Sequence, residues 1–180
     1  MTDGAWRERG LRDAVLRGDD RAWRAWYDAE HPGLEAYVLW RCGGLRDAAD
    51  DVLQETWMTA VRKMRAFDPA AGSFRQWLCG IAANVVRNYL RSRRRRTARQ
   101  EALTGEEIRA DSAAPDRERA ERIAAALAAM PDRYEAVLRM KYVDRMTVAA
   151  MAATNGETEK AVESLLSRAR AAFREAYGDD

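Results

Sequence analysis

The chain is poor in the residues that build most enzymatic and metal sites. Its 180 residues include only two cysteines, Cys42 and Cys79, and one histidine, His31. That set cannot supply the four Cys/His ligands of a usual structural zinc site, and any His-dependent triad would rest on His31 alone. Two thiols make no disulfide framework, which points to a reducing cytoplasm. No apolar run approaches the roughly 20 residues of a membrane helix. The first residues, Met1-Thr2-Asp3-Gly4-Ala5-Trp6-Arg7-Glu8, put charge and Gly where a secretory signal needs an apolar stretch. No Gly-rich phosphate loop and no metal-ligand cluster appears, so an enzyme is disfavoured and neither a cofactor nor a metal is expected.

An excess of charge of one sign is also missing, but only on average. The 31 basic and 29 acidic residues sum to +2. Residues 1–98 carry 18 Lys/Arg against 13 Asp/Glu, residues 99–121 carry 4 against 7, and residues 122–180 carry 9 of each. The first block contains the dense segment Arg87, Arg91 and Arg93 to Arg96. A basic block, an acidic bridge and a neutral block are different physical objects.

The apolar pattern has a helical period. Ile occurs only three times and Val shows no alternation, whereas apolar positions recur at spacings of three and four. Trp23, Trp26, Tyr27, Leu34, Tyr37 and Val38 share one face, with Pro32 expected to kink it. Leu53, Trp57, Ala60, Val61 and Met64 form a second stripe, and Phe74, Trp77, Leu78, Ile81 and Val85 a third. The chain is therefore expected to be all-α. Gly43-Gly44 should end one helix, residues 67–72 should form a loop, and Ser73 should cap the next helix. After Arg99 the period fades into an acidic, core-poor stretch read as a flexible linker. Met130-Pro131-Asp132 then starts a helix in a second unit. All six Trp precede the linker. The expected division is 1–97, a linker 98–118, and 119–180.

Residues 147–173 read as helix, turn, helix. Thr147 and Thr158 suit the two caps, and Glu159 suits the dipole of the second helix. Ala152, Gly156 and Val162 provide a small residue at the crossing, a left-handed turn and an apolar wedge. In such units the second helix enters the DNA major groove. Thr158, Glu159, Lys160 and Ala161 would face base edges, with Ser164, Arg168 and Arg170 toward the backbone. A plain bundle corner is the competing reading. Asn155 and Glu157 stand where apolar residues usually seal the hairpin, and the neutral charge predicts weak unaided DNA affinity.

Residues 67–96 combine a loop with aromatics, then Asn84, Arg87, Asn88 and Arg91, then the Arg run. Aromatic faces stack on unpaired bases, Arg holds phosphates, and Asn reads base edges. Trp77 and Phe74, at helical spacing, read individually as core. Residues 50–57 read either as a capped core helix or as a helix that docks a basic partner.

Together these segments resemble an extracytoplasmic-function sigma factor of the sigma-70 superfamily. Asp50-Asp51-Val52-Leu53-Gln54-Glu55-Thr56-Trp57 is similar to that family's core-polymerase-binding helix of region 2. Phe74-Arg75-Gln76-Trp77-Leu78-Cys79-Gly80-Ile81-Ala82-Ala83-Asn84 resembles its F-R-x-W-L-x-x-I-A-x-N signature. Val162-Glu163-Ser164-Leu165-Leu166-Ser167-Arg168-Ala169-Arg170 resembles its V-x-S-x-L-x-R-A-R run in region 4. The resemblance implies that Asp50, Asp51, Gln54 and Glu55 bind core RNA polymerase. It implies that the loop from Phe67 to Ser73 catches a flipped base of the minus-10 promoter element, with Asn84, Arg87, Asn88 and Arg91 on the melted strand. It further implies that the helix starting at Thr158 reads the minus-35 element through Thr158, Glu159, Lys160, Ser164, Arg168 and Arg170. Glu163 and Leu165 depart from the basic residues many members carry there. The implied partners are core RNA polymerase, promoter DNA and an anti-sigma factor; the chain would act as a monomer in the holoenzyme, in the cytoplasm, without inserting in a membrane. Two other readings are a stand-alone helix-turn-helix transcriptional regulator and a sigma-like adaptor that binds only protein.

Overall fold

The computed structural model describes residues 3–104 and 114–178, and among these it is all-α, with no strand. The helices are α1 (Asp3–Leu16), α2 (Asp20–Arg41), α3 (Arg46–Lys63), α4 (Phe74–Thr104), α5 (Ala114–Ala129), α6 (Asp132–Tyr142), α7 (Val148–Asn155) and α8 (Glu159–Tyr177). A short 3-10 turn, Met64–Ala66, follows α3. No helix of the described residues is long and apolar enough to cross a membrane.

Two compact units result. The first comprises Met1–Val38 with Arg46–Arg93, the second Leu39–Leu45 with Arg94–Asp180. The stretch 98–118, expected as a linker, is helical at both ends: residues up to 104 continue α4 and those from 114 open α5. Its middle, 105–113, lies outside the described residues.

The core of the first unit is aromatic. Trp26 stacks on Phe74 at 4.1 Å between centroids, and Phe67 meets Trp26 edge-on at 5.8 Å and Phe74 at 5.4 Å. Such pairs contribute about 0.5–1.5 kcal/mol each beyond the area they bury. His31, the one candidate for triad chemistry, is stacked on Tyr27 and lies beside Trp57. Pro32 lies inside α2, which runs on past it to Arg41. The inward face of α3 is Ala48, Ala49, Val52, Thr56, Trp57 and Ala60, with the Thr56 hydroxyl donating to the Val52 carbonyl at 2.7 Å. Ser73 caps α4 as its sequence suggests: its hydroxyl accepts the Gln76 amide, while the Gln76 side chain accepts the Ser73 amide.

The second unit packs α5, α6, α7 and α8 around Leu127, Val137, Leu138, Met151, Val162, Leu165, Leu166 and Ala169. Helix α2 ends at the Gly43-Gly44 pair, both with positive φ. Gly43 has a second reason to be glycine, since a Cβ there would lie 2.0 Å from the Ala120 carbonyl oxygen. Arg41, 2% exposed, donates to the Leu127 carbonyl at 3.0 Å and lies 3.7 Å from Glu135, itself 8% exposed. Nothing in the sequence pattern marks this buried pair. The neighbouring Cys42 is also buried, which pushes its thiol up to about 11 and keeps it protonated and inert.

Removing one charge of a buried pair strands the other without compensation. R41A is therefore expected to destabilise the second unit by about 3–5 kcal/mol, while R41M with E135L should cost far less. Urea unfolding followed by circular dichroism measures both; equal losses in the two variants would show that packing, and not the stranded carboxylate, sets the cost.

Candidate nucleic-acid and protein interfaces

Helix α3 has an outward face because its other face is used by the core. Asp50, Asp51, Gln54 and Glu55 are all exposed, and spacings of three and four place them together on one side. Glu55 is held by Arg62 at 2.7 Å and by the Thr59 hydroxyl at 3.2 Å. The same side continues into Met58, 49% exposed, and Val61, 56% exposed. Val61 stands on the lip of a groove lined by Val15, Leu16, Trp23, Met64 and Arg65. Sequence reasoning assigned Val61 to the buried stripe and passed over Met58. Two large exposed apolar groups lie one turn beyond four polar ones, so this face mixes charge with apolar surface.

The loop after α3 differs from expectation at its first residue. Phe67 is only 2% exposed and is packed against Trp26, Phe74 and Trp77. It therefore cannot stack on a base, and the minus-10 role assigned to it is corrected: its ring anchors the loop in the core. The exposed part of the loop is polar and small. Asp68 accepts the Ala70 amide on its side chain at 2.9 Å and the Ala71 amide on its carbonyl at 3.0 Å, an Asx-type turn that holds residues 68–71 in one shape. Ser73 serves as the helix cap described above.

Helix α4 turns Phe74, Leu78, Ala82 and Val86 inward at intervals of four, so the opposite side is committed to solvent. Asn84, Asn88 and Arg91 are exposed there, and Arg87 is half-buried beside them. Arg87 Nη2 donates to Asn84 Oδ1 at 2.9 Å and its Nε to the Ala83 carbonyl at 3.3 Å. With its oxygen so used, Asn84 keeps its amide N–H groups for an outside acceptor. All four residues are thus brought together on one face. The Arg run is not a helix end, since α4 continues beyond it to Thr104.

Near the start of α4 lies a cluster of charge. Arg75 is 3.7 Å from Glu30. Burial pushes the Glu30 carboxyl above the usual carboxylate range; Arg75 pulls it down and the Glu8 charge pushes it further up.

The helix-turn-helix forms as its residue types require. Thr147 accepts the Ala150 amide, Thr158 accepts the Ala161 amide, and Gly156 is left-handed at φ 66°. Ala152 and Val162 are buried. Glu157, which interrupts the usual apolar seal, forms an ion pair with Arg133 of α6. Along α8, Val162, Leu165, Leu166 and Ala169 face inward; Lys160 and Ser164 face away from them, together with Ser167, which sequence reasoning did not single out. Thr158 and Glu159 are exposed at the amino end of α8, and Arg168 is exposed on one flank. Arg170 is not on this face. It donates to the Tyr142 hydroxyl at 2.9 Å and helps line a groove with Trp40, Leu138 and Phe173. Its assignment to minus-35 contacts is corrected, because its guanidinium is engaged by Tyr142 and it lies about a sixth to a third of a turn around α8 from Lys160, Ser164 and Ser167.

Glu30 supplies a test of the charge cluster. A carboxyl raised in the folded state binds protons more tightly there, so its contribution is greatest at low pH and is lost as pH rises through the raised value. The native chain should lose stability relative to E30Q as pH rises from the ordinary carboxyl value of 4.5 through the raised one. Denaturant unfolding of both at each pH measures this; a constant difference would mean that Arg75 fully offsets the burial.

Comparison with known proteins covers most of this architecture. The family model of sigma-70 region 2 matches residues 26–96, and that of sigma-70 region 4 matches residues 120–173. Among curated relatives, the chain is similar to the ECF RNA polymerase sigma factor BldN of Streptomyces coelicolor, 28% identical over 178 residues and covering 94% of this chain and 66% of that protein. It is also similar to the ECF RNA polymerase sigma factor SigE of Mycolicibacterium smegmatis, 26% identical over 167 residues and covering 88% of this chain and 63% of that protein. The chain thus spans just under two thirds of the length of these relatives. Among solved structures it resembles CnrH in complex with the cytosolic domain of CnrY, with a TM-score of 0.52, 27% identity, and coverage of 96% of this chain and 98% of that one.

Proposed function

We propose that this chain, which belongs to the extracytoplasmic-function class of the sigma-70 family, directs core RNA polymerase to specific promoters and opens the DNA there. One observation supports this reading above the others: the first unit presents two outward faces of different chemistry on adjacent helices in sequence. The α3 face is acidic and apolar, suited to a basic helical partner; the α4 face carries Asn84, Asn88 and Arg91, suited to unpaired bases and phosphates.

In this reading α3 docks on core polymerase through Asp50, Asp51, Gln54 and Glu55, with Met58 and Val61 as apolar anchors. The exposed middle of the 67–73 loop receives a base flipped from the minus-10 element. Flipping costs a few kcal/mol, offset by contacts on the α4 face. Arg87 and Arg91 hold the melted strand, and Asn84, oriented by Arg87, donates to a base. Region 4 reads the minus-35 element with Thr158, Glu159, Lys160 and Ser164 toward the groove, Ser167 in line with them, and Arg168 toward phosphate. The chain itself catalyses nothing; polymerase does, and no cofactor is needed. An anti-sigma protein would hold it inactive. A stand-alone helix-turn-helix regulator leaves both faces of the first unit without a role, and the acidic Glu159 and Glu163 on α8 weaken it further.

Run-off transcription with purified core polymerase on genomic promoter fragments should depend on this protein, and absence of stimulation on every fragment would defeat the reading. Asp51→Ala with Gln54→Ala, and separately Met58→Ala with Val61→Ala, should each weaken core binding about tenfold or more; surface-plasmon titration of the full chain checks this.

Asn84→Ala should reduce promoter opening about tenfold with little change in core affinity. Permanganate footprinting beside the core titration separates the two. Equal loss of both would remove the base-reading role of Asn84.

A further inference from the structure

Helix α1 lies outside both matched regions, the first of which begins at residue 26. Its polar side chains nevertheless hold both ends of the loop that follows α3. Glu8 Oε1 accepts the backbone N–H of Phe74, the first residue of α4, at 3.0 Å. Arg12 Nη2 donates to the carbonyl of Arg65, in the turn that leads into the loop, at 3.3 Å. Two bonds from adjacent turns of one helix therefore bracket residues 66–73.

The hold is polar as well as apolar. Between Trp6 and Leu16 no side chain of α1 is fully buried; Leu11, Ala14 and Val15 are half-buried, and Trp6 is 59% exposed. Apolar burial that is only partial leaves the two hydrogen bonds a larger share in seating the helix. The loop has its own internal turn at Asp68, and its Phe67 ring packs against Phe74. Helix α1 adds a polar link between Arg65 and Phe74.

We propose that Glu8 and Arg12 are positioning residues for promoter opening, and that α1 is a brace that holds the base-receiving loop in its working shape before DNA arrives. The inference rests on the minus-10 reading of that loop. Its physical content is preorganisation: a loop already ordered does not have to be ordered at the moment of capture, and that cost is removed from the opening step. Neither residue touches DNA in this scheme. The effect passes through the Phe74 amide and the Arg65 carbonyl.

The test uses the full chain with core polymerase on a promoter that the native chain opens, with 2-aminopurine at the unstacked position. E8A should open it about tenfold more slowly, equivalent to about 1.4 kcal/mol, and R12A should slow it by a smaller factor. E8Q, whose amide oxygen can still accept the Phe74 N–H, should recover most of the rate. Core affinity should not change in any of them. Hydrogen exchange on the chain alone should show faster exchange of the Phe74 amide in E8A. Native opening rates in E8A, an equal fall in core affinity, an E8Q as slow as E8A, or unchanged exchange at Phe74 would each overturn the brace. Failure of the native chain to open any promoter, with the exchange result as expected, would instead count against the functional reading.

Discussion

The first unit depends on the stack of Trp26 on Phe74, 4.1 Å apart and 15° from parallel. Phe74 is the first residue of α4, so this contact sets both where α4 starts and how it is rotated. Once Phe74 points inward, Leu78, Ala82 and Val86 follow at intervals of four, and Asn84, Asn88 and Arg91 are left outside. Phe67 packs edge-on to the same two rings, so the loop that joins α3 to α4 has aromatic side chains sunk in one cluster at either end. Between those ends Pro69 is also buried, and Asp68, Ala70 and Ala71 are exposed. Capping by Ser73 and the bond from Glu8 then satisfy the amides that a helix start leaves over.

This explains what was legible in the sequence. The all-α fold, the helix faces apart from the exposed Tyr27 and Val61, the Gly43-Gly44 stop, the Ser73 and Thr158 caps and the Gly156 turn all follow from local rules, and each is where those rules put it. Phe67 was not legible, because periodicity says nothing of a residue outside a helix; only a contact with α2, distant in sequence, buries it. Val61 fell in the apolar stripe by type, yet the inward face of α3 is Ala48, Ala49, Val52, Thr56, Trp57 and Ala60, and Val61 lies off it, 56% exposed. Arg170 could have been placed by counting along α8, since Val162, Leu165, Leu166 and Ala169 define the inward face and its position falls well off the opposite one.

Charged residues inside the protein were the least legible. Arg41 and Glu135 each sit on an amphipathic helix, where a charge reads as solvated, and their pairing depends on tertiary approach. The same holds at the turn of the helix-turn-helix. Glu157 breaks the expected apolar seal, and the ion pair with Arg133 takes its place. A polar seal is compatible with the fold because Gly156, the Thr158 cap and the buried Val162 already fix the angle between α7 and α8. The departure in sequence is thus a change in how the corner is closed, not in whether it forms.

Charge also separates the tasks proposed for the two units. The first presents guanidinium and amide groups on α4 and carboxylates on α3, so one surface attracts phosphate while the other repels it. A single strand is then directed to α4 and kept from α3, which stays available to a basic protein partner. The second unit has no such excess: on α8, Glu159 and Glu163 stand beside Lys160, with short Ser164 and Ser167 between them and Arg168. Short side chains allow close approach to a groove, but few cations release few counterions, so free-solution affinity for duplex is low. A reader of that kind works when its local concentration is raised by a tether. In the proposed complex polymerase supplies the tether, and discrimination between sequences can then come from α8 without the non-specific binding that a basic helix would bring.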